Sequence, residues 1–115
     1  MSFTQFERKR IEALTDEFIE SRRPPAELRD KIDLGFRLEK QSVIIFEIRP
    51  VWNDPSKVIE PMVAKATYVK RQNAWKIYWQ RADMKWHSYD PLPEVEHFEE
   101  FLEAVGADDY CCFWG

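Results

Sequence analysis

Apolar residues follow two periods along this chain. Phe3, Phe6, Ile11, Leu14 and Phe18, with Ile19 beside them, recur at roughly helical spacing among Glu, Arg, Lys, Asp and Thr. They predict an amphipathic helix of about five turns. Ser2 and Gln5 have the spacing of a capping box at its start, and Pro24-Pro25 ends it. Residues Pro25 to Arg29 suit one further short turn. From Ile32 the period becomes two. Ile32, Leu34, Phe36 and Leu38 alternate with Asp33, Gly35, Arg37 and Glu39, which predicts a half-buried strand. A short turn at Glu39–Ser42 leads into a second strand, Val43 to Trp52, and Asn53-Asp54-Pro55-Ser56 is a turn by composition. A third strand is expected from about Val58 to Arg71, interrupted or started afresh at Pro61. Gln72-Asn73 suits a hairpin turn. The fourth strand, Ala74 to Ala82, puts Trp75, Ile77, Trp79 and Arg81 on one face and Lys76, Tyr78 and Gln80 on the other. Residues Lys85 to Tyr89 suit a short fifth strand or an extended edge. After Pro91-Leu92-Pro93, residues Val95, Phe98, Phe101, Leu102 and Val105 mark a second helix, with Gly106 as its stop. Tyr110, Phe113 and Trp114 are too apolar to leave in water, so the tail is expected to pack back on the body.

The expected fold is therefore α+β: an antiparallel meander of four to five strands, with an N-terminal and a C-terminal helix on one face. At 115 residues the chain is one domain, residues 1–115. Its hydrophobic content of 44% and aromatic content of 15% exclude a disordered chain, and three glycines exclude a collagen-like one.

Charge refines this picture. The net charge is −4, which argues against a dedicated basic nucleic-acid protein taken whole. The sign is not uniform, however. All 17 Lys and Arg lie at or before Lys85, and seven acidic residues lie from Glu94 onward, so residues 1–93 carry a net +3. The two cysteines, Cys111 and Cys112, are adjacent. A vicinal disulfide is strained and staples nothing, so they read as reduced thiols in a cytoplasmic protein. The longest apolar run, Val43-Ile44-Ile45-Phe46, is far too short to span a bilayer, and the N-terminus lacks the apolar run of a signal peptide. No membrane partner is expected.

Three groups of residues could carry chemistry. The hairpin region from Lys65 to Tyr89 holds Lys65, Lys70, Arg71, Lys76, Arg81 and Lys85 against one acid, Asp83, interleaved with Trp75, Tyr78, Trp79, Trp86 and Tyr89. Cations neutralise phosphates and aromatic faces stack bases, so this mixture suits single-stranded nucleic acid. The ordinary alternative is a strand with aromatics in the core and lysines in solvent. The second group is Trp86-His87-Ser88-Tyr89 with Asp90. His87 has the chemistry of a general base, but in an extended segment His87 and Ser88 point to opposite faces. The third group is Glu47 and Arg49 with Asp33 and Arg37 of the preceding strand. If their faces coincide they form a charged grid, with Arg37 and Arg49 able to clamp a phosphate or carboxylate. Ion pairs on the wet side of a sheet are the plain alternative. His97 lies among glutamates and is expected in solvent. No glycine-rich phosphate loop or zinc-ligand spacing is present in the sequence, so no cofactor and no metal are expected.

Several strings together resemble a small bacterial family catalogued as domain of unknown function 3024. They are Arg22-Arg23-Pro24-Pro25, Leu34-Gly35-Phe36-Arg37, Ile45-Phe46-Glu47-Ile48-Arg49-Pro50, Val63-Ala64-Lys65-Ala66-Thr67-Tyr68-Val69, Trp75 through Asp83, and Trp86-His87-Ser88-Tyr89. The resemblance covers almost the whole chain. It implies a stand-alone bacterial protein of this length, and it carries no activity, cofactor or catalytic residue with it.

The functional expectation is a non-catalytic binding or interaction module. Its ligand would be nucleic acid or an acidic protein partner, met by Arg37, Glu47, Arg49, Lys65, Lys76, Tyr78, Arg81, Lys85, Trp86 and His87. The first alternative is a small hydrolytic or metal-dependent enzyme using Glu47, Asp33 and His87, which needs these side chains within a few ångström of one another. The second is a homodimer or larger homo-oligomer, built by sheet-edge pairing or by docking the aromatic tail.

Overall fold

The computed structural model describes residues 3–114. Helix α1 runs from Gln5 to Arg22. Ser2, the expected cap, lies outside the described residues, and the cap in the structure is Thr4. Thr4 Oγ1 accepts from the Glu7 backbone N–H at 3.1 Å, and Glu7 Oε1 accepts from the Thr4 N–H at 2.9 Å. This reciprocal pair satisfies two helix-end donors. The helix ends at Arg23 because the following prolines disfavour helical backbone. Its inward face is Ile11, Thr15 and Ile19, with Thr15 Oγ1 donating to the Ile11 carbonyl at 2.7 Å. Phe6, counted in the apolar stripe, stands 79% exposed.

Seven strands follow among the described residues, where four to five were expected: β1 (Asp33–Glu39), β2 (Ser42–Val51), β3 (Asp54–Ile59), β4 (Met62–Val69), β5 (Ala74–Gln80), β6 (Trp86–Ser88) and β7 (Glu94–Val95). All pairings are antiparallel, and the main order is β1-β2-β4-β5-β6. The two additional strands share edges already in use. β3 pairs the far end of β2, continuing the line of β4 beyond Pro61, and β7 pairs the start of β5 where β6 leaves it free. The expected turn at Asn53–Ser56 is shorter than composition suggested. The chain reverses at Trp52-Asn53, and Asp54 already belongs to β3. Between β4 and β5 a short 3-10 turn, Lys70–Gln72, precedes Asn73 in the left-handed region at φ 51°, a conformation asparagine tolerates well.

Helix α2 (Phe98–Ala107) starts later than the apolar stripe implied, because Val95 belongs to β7. It also runs through Gly106, the expected stop. A Cβ on Gly106 would meet the Phe18 ring at 3.3 Å, so this glycine serves helix packing. The left-handed residue that ends the helix is Asp108, at φ 43°. Both helices cover one sheet face, as expected. Val43, Ile45, Ala64, Ala66, Trp75 and Ile77 meet Ile11 and Ile19 of α1 and Phe98, Phe101, Leu102 and Val105 of α2 in one apolar core.

The tail packs back through Asp108. Its carboxylate accepts from the Phe113 and Trp114 backbone N–H groups, both at 3.0 Å, and Trp114 Nε1 donates to the Val105 carbonyl at 2.8 Å. Cys111, at φ 56°, turns the chain, so Phe113 is buried while Tyr110 stays 66% exposed. Both cysteines are free thiols. No helix among the described residues is long and apolar enough to cross a membrane.

Candidate functional site

Strand register decides which of the candidate side chains share a surface, since cross-strand partners project to the same side of a sheet. Arg37 pairs with Ile44, Ile44 with Lys65, Lys65 with Tyr78, and Tyr78 with Ser88. This row crosses five strands on the face away from the helices. A neighbouring row on the same face runs Glu39, Ser42, Thr67, Lys76 and Glu94. Trp86 pairs with Gln80 and joins the same face. Five of the ten expected residues (Arg37, Lys65, Lys76, Tyr78 and Trp86) therefore come together on the helix-free side.

At the centre of this face is Lys65. Its Nζ lies 4.9 Å from the Tyr78 ring centroid and 5.0 Å from that of Trp86. The negative faces of the two rings hold the ammonium between them. Partial burial lowers the Lys65 pKa, and nearby Glu39 opposes that shift. Lys65 makes no ion pair with a carboxylate among the described residues. Beside it, the Ser42 and Thr67 hydroxyls are hydrogen-bonded at 2.7 Å. An open recess of about 680 Å³ lies over Ile44, walled by Glu39, Lys40, Ser42, Lys65, Thr67 and Trp86. Lys40 reaches it from the β1–β2 turn, where its backbone is left-handed at φ 54°.

Arg37 stands apart from this cationic group. Its guanidinium lies 5.1 Å over the Phe46 ring and pairs with Glu39 at 3.1 Å and Glu60 at 3.4 Å. Two carboxylates neutralise it, so the positive part of the face is Lys40, Lys65 and Lys76.

The remaining candidates lie elsewhere. Glu47 pairs with Leu34 in the ladder and so belongs to the helix side. Arg49 Nε donates to Glu47 Oε1 at 2.9 Å, and this bond raises the arginine pKa. The charged grid is not formed. Odd positions of β1 oppose even positions of β2, so Arg37 and Glu47 project to opposite faces. Asp33 binds Arg23 through both carboxylate oxygens, at 2.8 and 2.7 Å, and the bond from Arg23 lowers its pKa. His87 pairs with Trp79 on the helix side of the edge strand, and its Nε2 lies 2.9 Å from Asp83 Oδ2. Asp83 is held below the usual carboxylate range first by the Lys85 backbone N–H and then by His87. Arg81 lies 5.5 Å over the Trp79 ring, and Lys85 is exposed in the β5–β6 turn. Asp33, Glu47 and His87, the enzymatic candidates, each have a separate partner, and β4 and β5 lie between Glu47 and His87. No three His, Cys, Asp or Glu side chains among the described residues are grouped to hold a metal ion.

Sequence reading missed Lys40, Ser42 and Thr67. Thr67 alternates in step with Lys65 along β4, so period two alone put it on that face. Lys40 and Ser42 become neighbours of Lys65 only through the β2–β4 register.

The architecture defines an α+β protein whose antiparallel sheet carries both helices on one face and leaves the other open. The chain matches the family model described as Domain of unknown function (DUF3024) over residues 3–115, and it belongs to that family. Comparison with curated proteins and with solved structures gives no match.

Proposed function

We propose that this protein is a non-catalytic binding module that takes single-stranded nucleic acid on its helix-free sheet face. The observation that carries the reading is the Lys65 ammonium within 5.0 Å of both the Tyr78 and the Trp86 ring centroids, with Glu39 near but in no direct ion pair with it. A phosphate beside Lys65, with Lys40 and Lys76 flanking, supplies counter-charge to three lysines that no carboxylate among the described residues pairs directly, since Glu39 and Glu60 are engaged by Arg37. The rings give a base a surface to stack on, and such stacking tolerates any sequence. The Ser42 and Thr67 hydroxyls offer hydrogen bonds to phosphate or sugar. A duplex would gain less, because its bases are already stacked and paired.

The test is binding of an oligothymidylate by Lys65→Ala and Trp86→Ala variants. Lys65→Ala is expected to reduce the salt slope by about one phosphate contact. Trp86→Ala is expected to cost about 1–3 kcal/mol with the salt slope unchanged. If neither substitution alters binding, the reading is wrong. Equal salt-sensitive binding of polyglutamate would point instead to an acidic protein partner.

A further inference from the structure

The most exposed large apolar side chain among the described residues lies outside the Lys65 recess. It is Trp52, 92% exposed, at the tip of the β2–β3 hairpin. The hairpin projects because β2 outruns its neighbours. β1 pairs it only as far as Ile48 and β4 only as far as Phe46, so residues 49–59 form a two-stranded arm. Val58 and Ile59 on this arm are 60% and 48% exposed. A two-stranded ribbon is marginal on its own, so this one owes its position to β2, which is fixed between β1 and β4 at its other end. β2 also supplies Ile44, the floor of the recess beside Lys65. The tip is therefore carried on the element that underlies the binding face, roughly 25 Å along it at strand rise. The arm's cations, Arg49 and Lys57, are offset by Glu47 and Asp54 at 2.9 and 3.9 Å, so what the tip offers is an aromatic surface and little net charge.

We infer that Trp52 is a second stacking platform for the same strand, engaging a base beyond those held at Tyr78 and Trp86. This rests on the nucleic-acid reading above. A strand long enough to leave the Lys65 recess and run along β2 meets the indole at the arm's end. Exposed aromatic wedges on β-ribbons and loops are used in this way, for stacking or insertion between bases. Because the tip brings little net charge, its contribution should change little with salt.

The experiment compares a thymidylate tetramer with a thymidylate of about 16 nucleotides, the two ends of the usual range of site sizes. Wild type, Trp52→Ala and Trp52→Phe are titrated, with Lys65→Ala as the reference for the face itself. Trp52→Ala is expected to weaken the long strand about tenfold, leave the tetramer unchanged, and keep the salt slope of wild type. Trp52→Phe should recover most of the loss. Trp52 is in solvent, so melting temperatures should match wild type. If Trp52→Ala binds the long strand as wild type does while Lys65→Ala is impaired, the inference fails and the face reading stands. If wild type binds neither strand, both fail together. Equal weakening of both strands, or a drop in oligomeric mass on Trp52→Ala by light scattering, overturns the inference in favour of a structural or self-association role.

Discussion

Gly35 lies opposite Phe46 in the β1–β2 ladder, and a Cβ there would come within 2.9 Å of the Phe46 ring. The ring folds over the bare backbone, and Arg37 lies over the ring in turn. Phe46 is thereby buried on a face that no helix covers. Gly35→Ala should destabilise the protein by about 1–3 kcal/mol through overpacking, read by urea unfolding. Shrinking the partner should recover part of this loss, so Gly35→Ala/Phe46→Leu is expected to be more stable than additivity allows. Lys65 gives a second prediction at this scale. Its pKa is lowered, so its charge is lost as pH rises at a lower pH than for an ordinary lysine near 10.4. Oligonucleotide affinity should fall over that same range. Lys65→Arg, which stays charged, should hold its affinity there. Parallel pH profiles of the two proteins would contradict the role given to Lys65.

Helix α1 is tied to the sheet at its C-terminal end by the two-pronged bond between Arg23 and Asp33. The folded-state pKa of Asp33 is lowered, so its stabilisation is complete above the unfolded carboxylate value and is lost as pH falls through the folded one. Asp33→Asn should lower the melting temperature at pH 7, and the gap to wild type should close as pH drops below about 4. A gap independent of pH would mean that packing rather than charge holds this corner. The elements themselves were legible to different degrees. α1, β1, β2 and β5 stand out because their periods persist over several residues, and the two faces of β5 follow the alternation as far as Gln80, where the strand ends before Arg81. β3 was obscured because Asp54-Pro55-Ser56 has turn composition, while pairing with β2 keeps it extended; Pro55 is tolerated there on an edge strand. β7 is two residues long and has no period to detect. The Arg37–Glu47 grid failed for a related reason: alternation says which residues share a side of one strand, and only register says which sides of two strands agree.

At the scale of the whole molecule, the two sheet faces divide the work. One is buried under α1 and α2. The other carries Lys40, Lys65 and Lys76 around two aromatic rings, with the β2–β3 arm beyond. The acidic residues from Glu94 onward lie mainly in and after α2, on the covered side. Overall acidity thus conceals a face with a small positive patch, and Glu39, Glu60 and Glu94 limit how far that patch extends. Binding there should be modest, fast and sensitive to salt. The most direct measurement is a titration of the intrinsic tryptophan fluorescence with single-stranded thymidylate at low and moderate salt. The account predicts saturable quenching, carried by Trp86 and, on long strands, also by Trp52, and weakening steeply as salt rises, with duplex of the same length binding less tightly. Fluorescence unchanged at micromolar protein in low salt, or binding indifferent to salt, would contradict it.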